Sequence, residues 1–335
     1  MQKQTYNRLI LDIGQLLEEG RRKALHSVNS IIVQTYRKMG KKIADFEGIH
    51  GKAYGSELFE KIAKGLYIKY GKGFSRSNII YMRLLYRLYP KSQTLSDQLS
   101  WSHYVELVGI ENNAERAFYE KECIQERWDV RSLRRQIESG LIHRLLIGKS
   151  QGGILQLSQK GQAIQKPEDI VKDPYVFKFL KLPEHHSEKQ LEERIIGNLK
   201  MFLPELGKGF SFVARQFRIN IGEKQFYADL VFYNKNLQCY VLIDLKIGKA
   251  SHSDVGQMNL YLNYFKSKVN SLADNEPIGI ILSRDKENIE IKYALGGMSN
   301  RIFASKYRLS LPSPEDLRKV VEKARKSCKL IEIKK

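Results

Sequence analysis

The chain has 335 residues, with 57 Lys plus Arg against 37 Asp plus Glu, a formal charge of +20 with His neutral. That balance excludes an acidic or disordered polypeptide and a small disulfide-stapled one. At roughly 100–200 residues per domain the length favours two domains, and 42% hydrophobic residues suffices for a core in each. The positive excess is about +10 in each half, 1–150 and 151–335, so a basic tail is not its source. A pI near 9.6 in a folded chain points to a polyanionic partner, because Lys and Arg displace condensed counterions from phosphates.

Apolar runs such as 240–243 and 278–282 are strand-sized, far short of the roughly 18–20 residues that cross a bilayer. The first twenty residues carry acidic side chains where a signal peptide needs an apolar core, so a cytoplasmic protein with no membrane partner is expected. Cys123, Cys239 and Cys328 are odd in number, widely spaced and without a CxxC pair, which argues against a disulfide framework and against a zinc finger.

In chain order, residues 1–147 read as a mainly helical domain. Leu9, Ile10, Ile13, Leu16 and Leu17 recur at three-and-four spacing, and further helices are predicted over 56–69, 75–88, 100–108, 114–127 and 130–145. Ser75 and Ser132 are expected caps, and Pro90 ends the third helix. Residues 148–170 turn polar and Gly-rich and read as a linker. In residues 171–335 a helix over 187–202 precedes strand-like runs at 210–219, 225–233 and 238–247. A helix over 253–266 and a strand at 278–283 follow, which together predict an α/β domain with a mixed sheet.

The second and third strands hold charges inside apolar sequence: Asp229 in FYADLVFY, Asp244 and Lys246 in YVLIDLKIGK. Buried charge is costly unless paired or bound to metal. Alternation puts Asp244 and Lys246 on one face. A two-residue hairpin loop at Lys235 and Asn236 would set Asp229 opposite Leu242 and diagonal to Asp244, so both carboxylates could share one ion. Two carboxylates and a lysine suit a hard cation such as Mg²⁺ or Mn²⁺ and the hydrolysis of phosphodiesters. The plainer alternative is an inward-charged edge strand whose Asp244 and Lys246 are merely ion-paired.

Other motifs are weaker. In GLYIKYGK five residues separate the glycines where a phosphate loop needs four. His185 and His186 are adjacent and point apart, and Trp101 and Tyr104 share a helical face that reads as core. Arg131, Arg134 and Arg135 in one group, and Lys64, Lys69, Lys72 and Arg76 in another, could track a phosphate backbone or form solvated helix faces. A basic cluster from Lys323 to Lys335 reads as a frayed end that adds nonspecific affinity.

Asp-x14-Asp-x-Lys across a hairpin, after an acidic helix and before a helix with Gln257 and Tyr261, resembles the restriction-endonuclease-like PD-(D/E)xK nuclease fold. More narrowly, LEERIIGNLKMFLPELGKGFSFVARQFRINIG, FYADLVFYNKNLQCYVLIDLKIGK and GQMNLYLNYF resemble the YhcG family of bacterial PD-(D/E)xK nuclease-domain proteins. AYGSELFEKIAKGL, YGKGFSRSNIIYMRLLY, LSWSHYVELV and RWDVRSLRRQI are similar to the helical domain that accompanies that nuclease domain. The resemblance implies Asp229, Asp244, the main-chain carbonyl of Leu245 and Glu192 as metal ligands or water-binding partners. It further implies Lys246 as the water-orienting lysine and Gln257 as a contact to the scissile strand. One departure is Asp244, where relatives usually carry Glu; YRKMG at 36–40 also lacks a Trp that relatives often carry.

The expectation is therefore a helical N-terminal domain for DNA recognition or self-association into a homo-oligomer, and a Mg²⁺-dependent DNA endonuclease domain for recombination, repair or defence. The alternative is a nucleic-acid-binding or regulatory protein whose nuclease fold no longer cleaves, a reading kept open by Asp244.

Overall fold

The structure is a computed structural model that describes residues 2–50, 57–91, 94–146, 153–285 and 301–311. Its contacts divide the chain into two units, Met1–Arg134 and Arg135–Lys335, a division that falls inside one helix. The basic cluster from Lys323 onward lies outside the described residues.

The first unit is helical: α1 (Gln2–His50), α2 (Glu57–Tyr70), α3 (Arg76–Leu88), α4 (Trp101–Val108), α5 (Asn113–Gln125) and the start of α6 (Val130–Glu138). Ile43, Phe59, Ile79 and Met82 form one buried cluster, against which Tyr36, Met39 and Trp101 pack. Close approach of α1 to α3 depends on Gly40, where a Cβ would lie 1.9 Å from the Met82 carbonyl oxygen. Ser75 caps α3 as expected, its hydroxyl accepting from the Asn78 N–H at 3.3 Å. Ser132 does not cap; its own N–H donates to Asp129 Oδ1 at 2.8 Å, so Asp129 satisfies the start of α6. The single helix expected over 130–145 is two, because Gly140 at φ +62° ends the first turn run and α7 (Leu141–Leu146) restarts beyond it. GLYIKYGK runs through the end of α2, and Tyr104 is wholly buried.

In the second unit, part of the stretch read as linker is ordered. It carries α8 (Gly153–Lys160) and a 3-10 turn at Pro167–Asp169, with Leu157 and Ile170 buried. The remaining elements are β1 (Tyr175–Val176), α9 (Glu188–Gly197), α10 (Leu199–Leu206), β2 (Phe210–Ile221), β3 (Lys224–Asn234), β4 (Cys239–Lys249), α11 (His252–Tyr264), β5 (Ile278–Asp285) and β6 (Arg301–Arg308). The helix expected over 187–202 breaks at Asn198, which ends α9. The sheet is mixed and six-stranded, in the order β1-β6-β5-β4-β3-β2, as expected for the α/β domain. β2, β3 and β4 are antiparallel neighbours, and β4, β5, β6 and β1 pair in parallel.

Both faces of the sheet are covered, which is why β4 reads as a nearly unbroken apolar run. On one face Leu230, Phe232, Ile243, Leu245 and Ile280 pack with Leu191 and Ile195 of α9 and Phe202 of α10. On the other, Val231, Leu242 and Ile281 pack with Val255, Met258 and Leu262 of α11. Alternation from Leu242 therefore carries Asp244 and Lys246 to the α11 face.

Candidate active site

The hairpin between β3 and β4 decides where Asp229 sits. Its loop holds four residues instead of two, because Asn234 Oδ1 accepts from the N–H groups of Asn236 and Leu237, both at 3.1 Å, and closes a wider turn. Val231 therefore faces Leu242, and the ladder runs to Leu230 opposite Ile243, leading Asp229 toward Asp244 and not Leu242. The shift is two residues. A two-residue period preserves the face, so the expectation that the carboxylates share one side survives the error in register.

Asp229 is half-buried and held from two sides. Its Oδ2 accepts from the Leu245 N–H at 2.8 Å, and its Oδ1 accepts from Gln216 Nε2 at 3.1 Å. The same Gln216 amide donates to Glu192 Oε2 at 2.5 Å, so one side chain of β2 links the carboxylate of α9 to that of β3. Gln216 has φ +46°, in the left-handed region that few non-glycine residues adopt. Arg215 Nε lies 3.1 Å from Glu192 Oε1.

Asp244 is 6% exposed, and its Oδ2 lies 3.0 Å from Lys246 Nζ. The ammonium also reaches Asp254 Oδ1 at 3.5 Å. Asp254 is fixed by the capping box that starts α11, where its Oδ2 accepts from the Ser251 N–H at 2.7 Å. Burial, then the Asp229 charge, pushes the Asp244 carboxyl up to about 7, against the opposing pull of Lys246. For Lys246, burial works against the ammonium, yet the neighbouring Asp244 and Asp254 outweigh it and hold the pKa above the usual lysine value.

These side chains fit a hard cation. Asp244 Oδ2 and Glu192 Oε1 are buried and accept no well-directed hydrogen bond, each meeting only a neighbouring cation. Among the described residues no three His, Cys, Asp or Glu side chains gather closely enough to hold an ion unaided. An ion at Asp229 and Asp244 would thus be completed by a main-chain carbonyl, waters and substrate phosphate, as Mg²⁺ prefers.

Asp229, Asp244, Leu245, Lys246 and Glu192 are thus brought into one connected network. Gln257 stands on α11, but its amide donates to the Tyr261 hydroxyl one turn along the same helix. Gln216, Arg215 and Asp254 escaped the sequence reading, since their roles come from contacts distant in sequence. Of the basic residues, Arg131, Lys72 and Arg76 are exposed, with Arg76 Nε 3.6 Å from Glu60. Arg134 is ion-paired to Glu106 at 2.6 Å. Arg135 donates to the Met201 carbonyl at 3.0 Å and lies over the Phe179 ring, a structural engagement that leaves less of it for phosphate. His186 is buried, between the Pro183 carbonyl and the Tyr307 hydroxyl.

Comparison with known proteins gives a family profile described as the YhcG PDDEXK nuclease domain over residues 168–322, and the DUF1016 N-terminal domain over residues 12–144. "Putative nuclease YhcG" of Escherichia coli (strain K12) is 35% identical over 346 aligned positions, covering 93% of this chain and 92% of that protein. Among solved structures, a repair endonuclease from Pyrococcus abyssi is 21% identical, with TM-score 0.28 over 38% of this chain and 49% of that one. An EndoMS–dsDNA complex is 20% identical, with TM-score 0.29 over 39% of this chain and 47% of that one. At those scores the two structures bear on neither substrate nor mechanism.

Proposed function

Because this chain belongs to the YhcG family of PD-(D/E)xK nuclease-domain proteins, we propose that it is a metal-dependent endonuclease that hydrolyses phosphodiester bonds in DNA. The observation that carries this reading is the pair of carboxylates on one face of the sheet, Asp229 with both oxygens fixed by Leu245 and Gln216, and buried Asp244 with an Oδ2 that accepts no well-directed hydrogen bond. PD-(D/E)xK nucleases generally use divalent ions. Asp229, Asp244 and the Leu245 carbonyl would hold Mg²⁺ or Mn²⁺, and the ion when bound supplies an activated water and stabilisation of the charge that develops on phosphate.

The chain's own residues prepare that chemistry. The Leu245 N–H and the Gln216 amide fix both oxygens of Asp229, so its carboxylate is oriented before substrate arrives. Lys246 is held as an ammonium between Asp244 and Asp254, where it can orient a water and meet the negative charge of the phosphate. Glu192 reaches Asp229 only through Gln216, a placement suited to holding a water at the edge of the site. Gln257, on the helix covering the same face, would turn from Tyr261 toward the scissile strand. The net charge of +20 favours a nucleic-acid partner. The helical residues 1–147 would serve recognition or self-association, with residues 148–170 as the connection, and exposed Arg131, Lys72 and Arg76 as phosphate contacts. No helix among the described residues is long and apolar enough to cross a membrane.

A second reading has one observation in its favour. Lys246 closes on Asp244 at 3.0 Å, and Asp is a methylene shorter than the Glu usual in relatives, as in a site that binds nucleic acid without cutting it. A cleavage assay on linear, nicked and branched DNA with Mg²⁺, Mn²⁺ or EDTA separates the two. Metal-dependent cleavage by the wild type, lost in Asp229→Asn, is expected. Equal cleavage by both proteins refutes the site, and salt-dependent binding without cleavage by any metal favours the second reading.

A further inference from the structure

The 49 residues of α1 carry two apolar faces. On one, Val33 and Ile43 are buried and Tyr36 meets Trp101 edge-on at 4.9 Å, in the packing of the first unit. The other is a stripe from Leu9 to Ile31 that 3.6 residues per turn places nearly opposite the first, about 170° around the helix. No described side chain from Asn7 to Ile32 is buried, and Leu9, Ile13, Leu16 and Ile31 are between 45% and 69% exposed. A helix that long draws most of its stability from a packed face, and this stretch has none among the described residues.

The stripe is bulky before Gly20 and mostly small after it: Leu9, Ile13 and Leu16 stand at positions mirrored by Ile31, Ser27 and Ala24. We propose that α1 pairs with α1 of a second copy of this chain, antiparallel, with the two-fold axis at Gly20. In that register Leu16 meets Ala24 and Ile13 meets Ser27, bulky against small, while Leu9 meets Ile31. Gly20 meets itself, where a Cβ has nothing within 4 Å in the single chain. Glycine in an exposed helix interior is otherwise unfavourable, and close approach of two backbones accounts for it.

Charge is compatible with the same arrangement. On one flank of the stripe Glu19 of one copy lies within a turn of Lys23 of the other, while Glu18 lies on the far side of the helix. Within one chain these groups form exposed pairs, Arg21 with Glu18 and Lys23 with Glu19, which are weak enough to be re-partnered. A parallel, in-register pair would crowd Leu16 on Leu16 and leave Ala24 facing Ala24. The eleven-residue spacing of Leu9, Gly20 and Ile31 keeps the stripe nearly straight, with at most a slight right-handed coil.

The area is adequate. With Ile10, Leu17 and Val28 along its edge, each helix offers seven half-exposed apolar side chains. At about 100 Å² each, a pair buries roughly 1,400 Å², within the range of specific interfaces.

The test uses the full chain and no cleavage readout, so its outcome is independent of the nuclease reading. Light scattering of the wild type at micromolar concentration is expected to give twice the chain's 38.9 kDa, and Leu16→Glu the single mass with cooperative thermal unfolding retained. A monomeric wild type, or a Leu16→Glu protein that stays dimeric, overturns the proposal. Orientation is read from mild oxidation of a Leu9→Cys chain mixed with an Ile31→Cys chain. Cross-linking between the two variants above the wild-type background supports antiparallel pairing, and preferential cross-linking of Leu9→Cys to itself overturns it.

Discussion

Replacing Asp244 by Asn is expected to stabilise the metal-free protein while abolishing cleavage. The carboxyl is nearly inaccessible, and burial followed by the Asp229 charge pushes it from 3.8 up to about 7. Three pKa units at about 1.36 kcal/mol each amount to about 4 kcal/mol that the ionised group costs the fold. Between pH of about 4 and 7 the native state retains a proton that the unfolded chain has released, so stability falls as pH rises, and the full penalty applies above about 7. Asn keeps the shape without ionising, and the attraction of Lys246 has already lowered the figure of about 4 kcal/mol. The gain of about 4 kcal/mol corresponds to roughly 8–16 °C in Tm for a unit of this size. Thermal unfolding in EDTA reads it: the variant is expected to melt higher at a pH of about 8, with the gap shrinking toward about 5. Saturating Mg²⁺ or Mn²⁺ should raise the wild type by linkage and leave the variant unmoved. A variant no more stable than the wild type in EDTA above neutral pH, or a gap that widens on acidification, would refute the account of crowded carboxylates.

Lys246→Ala is expected to lower cleavage by about 10²–10⁴-fold while DNA affinity changes only a few-fold, because one lysine is a small part of a phosphate footprint; parallel collapse of rate and affinity would make it a binding residue. Glu205→Gln should cost about 3–5 kcal/mol in denaturant unfolding, since Glu205 and Arg144 are both 2% exposed and paired at 2.5 Å. Burial opposes the Glu205 carboxylate, but Arg144 and Lys172 outweigh it and hold its pKa below the ordinary value. Its contribution is present above about pH 4.3 and is lost as pH falls further, and a variant with wild-type acid stability would contradict this. Gly40→Ala should destabilise the first unit by about 1–3 kcal/mol, because its Cβ would meet backbone, not a movable side chain, at 1.9 Å; an unshifted melting curve would show that α1 and α3 separate freely.

Legibility differed by kind of contact. Asp229, Asp244 and Lys246 stood out because charge inside an apolar strand violates local expectation, and alternation alone placed two of them on one face. The hairpin register was read two residues off, since the Asn234 side chain widens the turn to four residues. β1, only two residues long, and β6 were not foreseen; each is defined by its parallel neighbour and not by a hairpin. Helix breaks at Gly140 and Asn198 were also missed, because apolar spacing continues across both.

The sequence by itself determined the family, the alternation of elements that makes an α/β layer, and which charged residues could not be ordinary core. These follow from short-range periodicity and from residue chemistry at known spacing. Only the tertiary structure decided that Gln216 ties Glu192 to Asp229, that Asp254 shares Lys246 with Asp244, and that Arg135 is engaged by Met201 and Phe179. Those pairings join residues from 8 to 66 positions apart. No local pattern encodes such contacts, because they arise only when strands and helices with separate local codes pack on a shared sheet.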